Sequence, residues 1–207
     1  MEIMNRINDI DGLREMYREP SAVAANKVFD TIDESSAAFV DRCPFVVIST
    51  TDGAGSIDTS PRGGPPGFVQ RLDDRHVAIP DLNGNNRLDS LENIVRHPYV
   101  GLLLVMPGKD ETLRIKGPAM LTTDSSVLDS FTTELRRPKL AIVVEVAELY
   151  VHCAKAFRRG EVWNVESWVG HAATPDLAEI ASTQLGLEGD RMRTTLEKSY
   201  QHDLTLD

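Results

Sequence analysis

The stretch Asp58-Thr59-Ser60-Pro61-Arg62-Gly63-Gly64-Pro65-Pro66-Gly67-Phe68 carries one fixed positive charge, three glycines and three prolines between two apolar runs. A chain so rich in Gly and Pro breaks strands and helices, because Gly is conformationally loose and Pro lacks an N–H. It forms instead a shaped loop whose backbone N–H groups point outward beside a guanidinium, the composition of an anion cradle. A second stretch of this kind, Asn83-Gly84-Asn85-Asn86-Arg87, comes just before a helical pattern. Together the two read as the grip on one phosphorylated cofactor. The same composition also describes two tight turns with surface arginines.

The flanking sequence reads as paired strands. Phe45-Val46-Val47-Ile48-Ser49-Thr50 is short and β-branched, Thr51–Gly55 is a turn, and Ser56–Ser60 returns. After the Gly/Pro loop, Phe68–Leu72 and His76–Ile79 flank the turn Asp73-Asp74. Two hairpins joined by a loop predict an antiparallel sheet. Over 87–96 the period changes, and Leu88, Leu91, Ile94 and Val95 share a helical face. Asn86 is the expected N-cap of this helix, with Asp89 placed as in a capping box.

Further strands are expected at Tyr99–Met106, at Thr112–Thr122 with a bulge or edge at Gly117-Pro118, and as one long strand at Leu140–Val151. The ends read as helical. Asp9 or Asp11, Pro20-Ser21 and Asp33 start helices in residues 1–42. Thr174-Pro175 is the expected start and Gly186 the stop of another, and Asp190–Tyr200 forms the last. The spacing predicts one mainly β domain, with a barrel over 43–165 and helical extensions at 1–42 and 166–207.

The 207 residues suffice for one sizeable core, and a net charge of −10 without Lys/Arg clusters argues against general nucleic-acid binding. Cys43 and Cys153 match no zinc or redox spacing, so free thiols in a reducing, cytoplasmic setting are expected, with Cys153 packed as a small hydrophobe. No apolar h-region begins the chain and no run is long enough to span a membrane. The histidines, His76, His97, His152, His171 and His202, show no metal-ligand spacing, and no nucleophile–base pair is legible. This fits a bound cofactor that carries the hard chemistry, although a binding module lacks such groups too. Lys155, Arg158 and Arg159 follow the last strand as a solvated basic face or a ligand contact. Trp163 and Trp168 are expected as core or interface anchors.

Several runs, in order over roughly residues 30–165, resemble the pyridoxamine 5′-phosphate oxidase-related, FMN-binding split-barrel family. They are Cys43-Pro44-Phe45, Ser60-Pro61-Arg62-Gly63, Pro66-Gly67-Phe68-Val69, Ile79-Pro80-Asp81, Gly84-Asn85-Asn86-Arg87-Leu88-Asp89-Ser90, Leu113-Arg114-Ile115-Lys116-Gly117 and His152-Cys153-Ala154-Lys155-Ala156. The resemblance implies a six-stranded antiparallel Greek-key split barrel and a homodimer with FMN in a cleft between subunits. It implies FMN contacts from Ser60, Arg62, Gly63, Asn85, Asn86, Arg87 and Ser90, with Arg114 near the cofactor or the partner subunit and His152, Lys155 and Arg158 coming back toward the flavin. An FMN-dependent oxidoreductase acting on a small molecule is the implied activity. A flavin, deazaflavin or haem carrier or sensor is the alternative. The family's Arg-x-His substrate motif is missing: His171 and His202 each lack an arginine two residues earlier.

Overall fold

The computed structural model describes residues 4–131, 135–170 and 173–205; His171 lies outside them. Period-two alternation builds the sheet. In β1 (Phe45–Thr51), Val46, Ile48 and Thr50 are buried while Phe45, Val47 and Ser49 turn to the other side. β1 pairs antiparallel with β2 (Ile57–Gly63) on one edge and β5 (Tyr99–Val105) on the other. β5 pairs with β6 (Thr112–Thr122). The second half of β6 pairs with β7 (Ala141–Glu145), which continues to β4 (His76–Pro80) and the short β3 (Gln70–Arg71). The first half of β6 pairs with β8 (Glu148–His152). Two antiparallel sheets, β2-β1-β5-β6-β8 and β6-β7-β4-β3, thus share one long strand, which makes a split barrel.

Among the described residues there are eight strands where the resemblance implies six. The expected strand Leu140–Val151 breaks at Val146-Ala147, and its halves join different sheets. Gly117 sits at the bend of β6 opposite this break. A Cβ on it would overlap the Glu145 carbonyl oxygen, so only glycine lets the two backbones meet there. The expected strand Phe68–Leu72 shortens to Gln70-Arg71, and Phe68 and Val69 enter the core instead.

Pro61-Arg62-Gly63 is also corrected: these residues finish β2 rather than opening a loop. β2 ends the sheet order, and an edge strand tolerates proline because one side of its backbone needs no ladder partner. The Gly/Pro loop begins at Gly64.

The core lies between the sheets. Ile48, Leu104, Ile115, Ile79 and Ile142 are fully enclosed, with Leu91 and Ile94 of α4 (Asp89–Arg96) against them. A second small cluster, Leu128, Phe131, Ala141 and Val143, places α5 (Ser125–Leu128) on the back of β4 and β7.

At the ends, Asp9 caps α1 (Ile10–Glu15), Ser21 caps α2 (Ala22–Ala25) and Asp33 caps α3 (Glu34–Val40). α6 (Lys155–Arg159) follows β8. α7 (Leu177–Leu185) starts with Asp176 and Glu179 in a capping box rather than with Thr174-Pro175, and Gly186 stops it at φ 67°. α8 (Gly189–Leu204) packs on α7 through Arg193, which pairs with Asp176 at 2.9 Å. Among the described residues no helix is long and apolar enough to cross a membrane.

The cysteines differ sharply. Cys43 is buried, with Sγ 3.1 Å from the Phe45 carbonyl oxygen, and burial pushes its thiol pKa up. Cys153 is exposed, contrary to the expectation that it packs. A thiolate-selective disulfide reagent is therefore expected to label Cys153 quickly and Cys43 only after unfolding. Equal labelling rates in the native protein would show that Cys43 is accessible.

Candidate functional site

In β2, Asp58, Ser60 and Arg62 oppose Thr50, Ile48 and Val46 of β1. Paired residues share a face. The polar side chains of this edge strand therefore extend the inner side of the sheet beyond the core. They meet the end of β4 and the start of α4, and the three elements enclose a cleft of about 910 Å³. That volume lies in the range of small-molecule sites. Leu204 of α8 also lines it.

Arg62 is the central cation. Its side chain is 22% exposed, and Nη1 lies 3.4 Å from Asp81 Oδ1. Among the described residues its Nε is buried without a hydrogen-bond partner. A buried guanidinium N–H with no acceptor is costly and is seldom left so unless a ligand or water completes it.

The start of α4 differs from expectation. Asn86 is not the N-cap: Leu88 occupies that position at φ 62°, and no side chain caps the helix. Asn86 itself lies at φ 58°. Two left-handed non-glycine residues so close together are strained, and such strain gathers at functional sites. Asn85 Oδ1 accepts from the Arg87 N–H at 3.0 Å, which shapes the approach. The first N–H groups of α4 receive no side-chain acceptor at the cap, and the positive end of the helix dipole lies with them.

Two hydrogen bonds fix α4 on the sheet. Ser90 Oγ donates to Asp58 Oδ2 at 2.6 Å, and buried Asn93 donates from Nδ2 to Thr50 Oγ1 at 3.0 Å. The Ser90 hydroxyl is therefore already engaged in holding the helix. Arg87 is largely exposed and pairs with Asp89 at 2.8 Å. The hydrogen bond from Arg87 holds the Asp89 carboxyl below its usual range, and Asp89 in turn raises Arg87. Arg96 likewise pairs with Glu92 at 2.7 Å. Each cleft arginine thus has a carboxylate that an incoming anion must compete with.

Ser60, Arg62, Gly63, Asn85, Asn86, Arg87 and Ser90 all line this cleft. Arg114, His152, Lys155 and Arg158 do not. Arg114 and His152 lie on β6 and β8, at the far edge of the sheet from β2. Along the sheet β6 is three strand spacings from β2 and β8 is four, roughly 14 and 19 Å. Lys155 opens α6, and Arg158 pairs with Asp110 at 2.9 Å. Trp163 packs on Phe157 with ring centres 5.7 Å apart and donates to the Lys109 carbonyl oxygen, whereas Trp168 is exposed. Among the described residues, no group of three or more His, Cys, Asp or Glu side chains could hold a metal ion.

His152 has its pKa lowered from the usual 6.5, first by burial and then by Arg114 and Lys27. The native state therefore binds this proton less readily than the unfolded chain. Its contribution to stability is complete above the unfolded value and is lost as pH falls from there through the lowered native value. His152→Gln is expected to reduce the loss of stability as pH falls below the usual 6.5. Denaturation midpoints that fall identically in both proteins would contradict this.

Asp58, Asp81 and the Asn93–Thr50 pair are parts of the site that motif reading passed over. The alternation Asp58-x-Ser60-x-Arg62 carried the signal for Asp58, since period two puts all three on one face. Asp81 had no such signal, because it is β4 that brings it to Arg62.

Residues 32–153 match the sequence model of the pyridoxamine 5′-phosphate oxidase family. No curated protein matches the chain by sequence. Among solved structures, HupZ from Group A Streptococcus is 15% identical, with 57% of this chain and 91% of that chain covered and a TM-score of 0.45. A candidate pyridoxamine 5′-phosphate oxidase from Lactobacillus delbrueckii is 17% identical over 60% of this chain and 98% of that one, with a TM-score of 0.47. An FMN-binding protein from Syntrophomonas wolfei is 11% identical over 57% of this chain and 82% of that one, with a TM-score of 0.42.

Proposed function

Because the chain belongs to the pyridoxamine 5′-phosphate oxidase family, we propose that it binds FMN in this cleft and serves as a flavin-dependent oxidoreductase for a small molecule. The observation that carries this reading is the buried, unpartnered Nε of Arg62 beside the uncapped start of α4. Both offer hydrogen-bond donors and positive potential where a phosphate is needed. Arg62 and the first N–H groups of α4 would hold the phosphate, with Asn85, Asn86 and Arg87 around it. Ser60 and Gly63 would line the approach. FMN supplies hydride and electron transfer when bound. The protein binds and orients it, and the apolar wall at Phe68 keeps water from one side.

The separation of the two groups of candidate residues supports a homodimer. The outer face of the larger sheet carries Phe45 and Val47 of β1 and Leu103 and Val105 of β5, none of them buried. An apolar stripe of this kind on a flat sheet is a typical surface for association. In such a dimer Arg114, His152, Lys155 and Arg158 of one copy would complete the flavin site of the other. A dimer is expected by sedimentation at micromolar concentration, and Leu103→Glu is expected to convert it to monomer. A wild-type monomer would remove this part of the proposal.

The purified protein's visible spectrum, before and after acid release of any bound molecule, tests the cofactor. A yellow protein that releases FMN, followed by turnover with a reductant and an acceptor, supports the oxidoreductase. FMN without any turnover would favour the carrier or sensor. A colourless protein that also fails to take up FMN contradicts both.

A further inference from the structure

The outer face at the β6–β8 edge holds a basic cluster that lines no part of the cleft within its own chain. Thr112, Arg114 and Lys116 of β6 stand opposite His152, Tyr150 and Glu148 of β8. Directly opposed residues share a face. Leu113, Ile115 and Leu149 take the other face and are buried in the core, so these six share the outer face, where Thr112 is covered and the other five are half-buried. Lys116 and Glu148 close on each other at 2.6 Å.

Among the described residues Arg114 and His152 pair with no acid. Arg114 lays its guanidinium 5.9 Å from the centre of the Tyr150 ring and donates from Nη1 to the Tyr150 hydroxyl at 3.3 Å. Lys27 reaches the same ring from the N-terminal segment, with Nζ 5.2 Å from its centre, and donates to the Val151 carbonyl oxygen at 3.0 Å. Reciprocal backbone bonds between Phe29 and Leu149, 3.0 and 2.6 Å, hold that segment on the sheet edge. Lys27, Arg114, Tyr150 and His152 are all half-buried.

Among the described residues neither Lys27 nor Arg114 forms an ion pair although both are half-buried, whereas the half-buried Arg62 pairs with Asp81. Gathering like charges without a counter-ion costs energy, more so out of full solvent. The cluster nevertheless has donors to spare. An ammonium group has three and Lys27 uses one; a guanidinium has five and Arg114 uses one. The nearest acid by register, Glu148, is already taken by Lys116.

We propose that Lys27, Arg114 and His152, gathered on Tyr150, form an oxyanion site that holds the carboxylate or phosphate group of a small-molecule substrate. Only the word substrate rests on the flavoenzyme reading; the anion site stands on the cluster itself. The cluster flanks the apolar stripe proposed to join two copies, where a site shared between subunits would lie. Lys27 lies in the N-terminal segment that precedes the residues matched to the family.

The test is an NMR titration of FMN-free protein, following the ring signals of His152 and Tyr150, assigned with His152→Gln and Tyr150→Phe. Sulfate stands in for a phosphate ester and acetate for a carboxylate, each at constant ionic strength set with chloride. Saturable shifts are expected in the wild type, and the tighter of the two anions identifies the group that the site prefers. Lys27→Met should weaken binding at least tenfold, Lys27→Arg should retain it, and Lys198→Met on α8 should leave it unchanged. Shifts that rise without saturating, or equal affinity in Lys27→Met, would overturn the site. FMN uptake is measured separately by absorbance, so a protein that binds sulfate here but no FMN keeps this site and loses the flavin reading.

Discussion

Gly117→Ala is expected to destabilise the fold by at least about 3 kcal/mol, at the upper end of the range for overpacking. At Gly117 the shared strand bends from one sheet to the other, and β7 gives way to β8 against it. The added methyl would meet the Glu145 carbonyl oxygen, part of a backbone that the β4 and β7 ladders hold in place. A flexible side chain could move aside; this backbone cannot do so without breaking the sheet junction. Gly101→Ala is the control. Gly101 lies in the adjacent β5, and a Cβ there has nothing within 4 Å. Its substitution is expected to change stability by no more than about 0.5 kcal/mol. Chemical denaturation of the two variants decides the matter: similar midpoints would mean that the junction is not the tight point described here.

Arg62→Ala is expected to weaken FMN binding by at least about 1.5 kcal/mol, roughly tenfold, the low end for a hydrogen bond to a charged group. The cation is largely sheltered, and its Nε already lies buried without an acceptor, so little desolvation remains to be done when an anion arrives. Arg62→Lys keeps the charge but loses the planar fork, and is expected to fall between the two. Affinity for FMN unchanged in Arg62→Ala, measured by flavin fluorescence quenching, would take Arg62 out of the site. Its thermal midpoint should be measured as well, since the substitution also removes the pairing with Asp81.

The sheet was largely legible because its runs are short, β-branched and period-two. Val46, Ile48 and Thr50 alternate with Val47 and Ser49 as the pattern requires. What escaped were features set by position in the sheet. Pro61 reads as a strand breaker, yet β2 is an edge strand that tolerates it. Leu140–Val151 reads as one strand because nothing local marks Val146-Ala147; the break faces Gly117, far away in sequence, whose missing side chain lets the two backbones meet. Asn86 is a good N-cap by residue type, but a left-handed Leu88 takes that place, a conformation that local preference disfavours. The cleft arginines were visible as charges between Gly and Pro residues. Their carboxylate partners were not all visible, because β4 and β2 bring Asp81 to Arg62 across a long stretch of chain.

The claim that Arg62 and the start of α4 hold a phosphate is tested most directly by comparing FMN with riboflavin, which differs only in lacking that group. Two charge-assisted hydrogen bonds contribute about 3 kcal/mol, so FMN is expected to bind at least about a hundredfold more tightly. Arg62→Ala should narrow that ratio by lowering FMN affinity alone. Equal affinities for the two flavins in the wild-type protein would contradict the account and leave the cleft without a phosphate to hold.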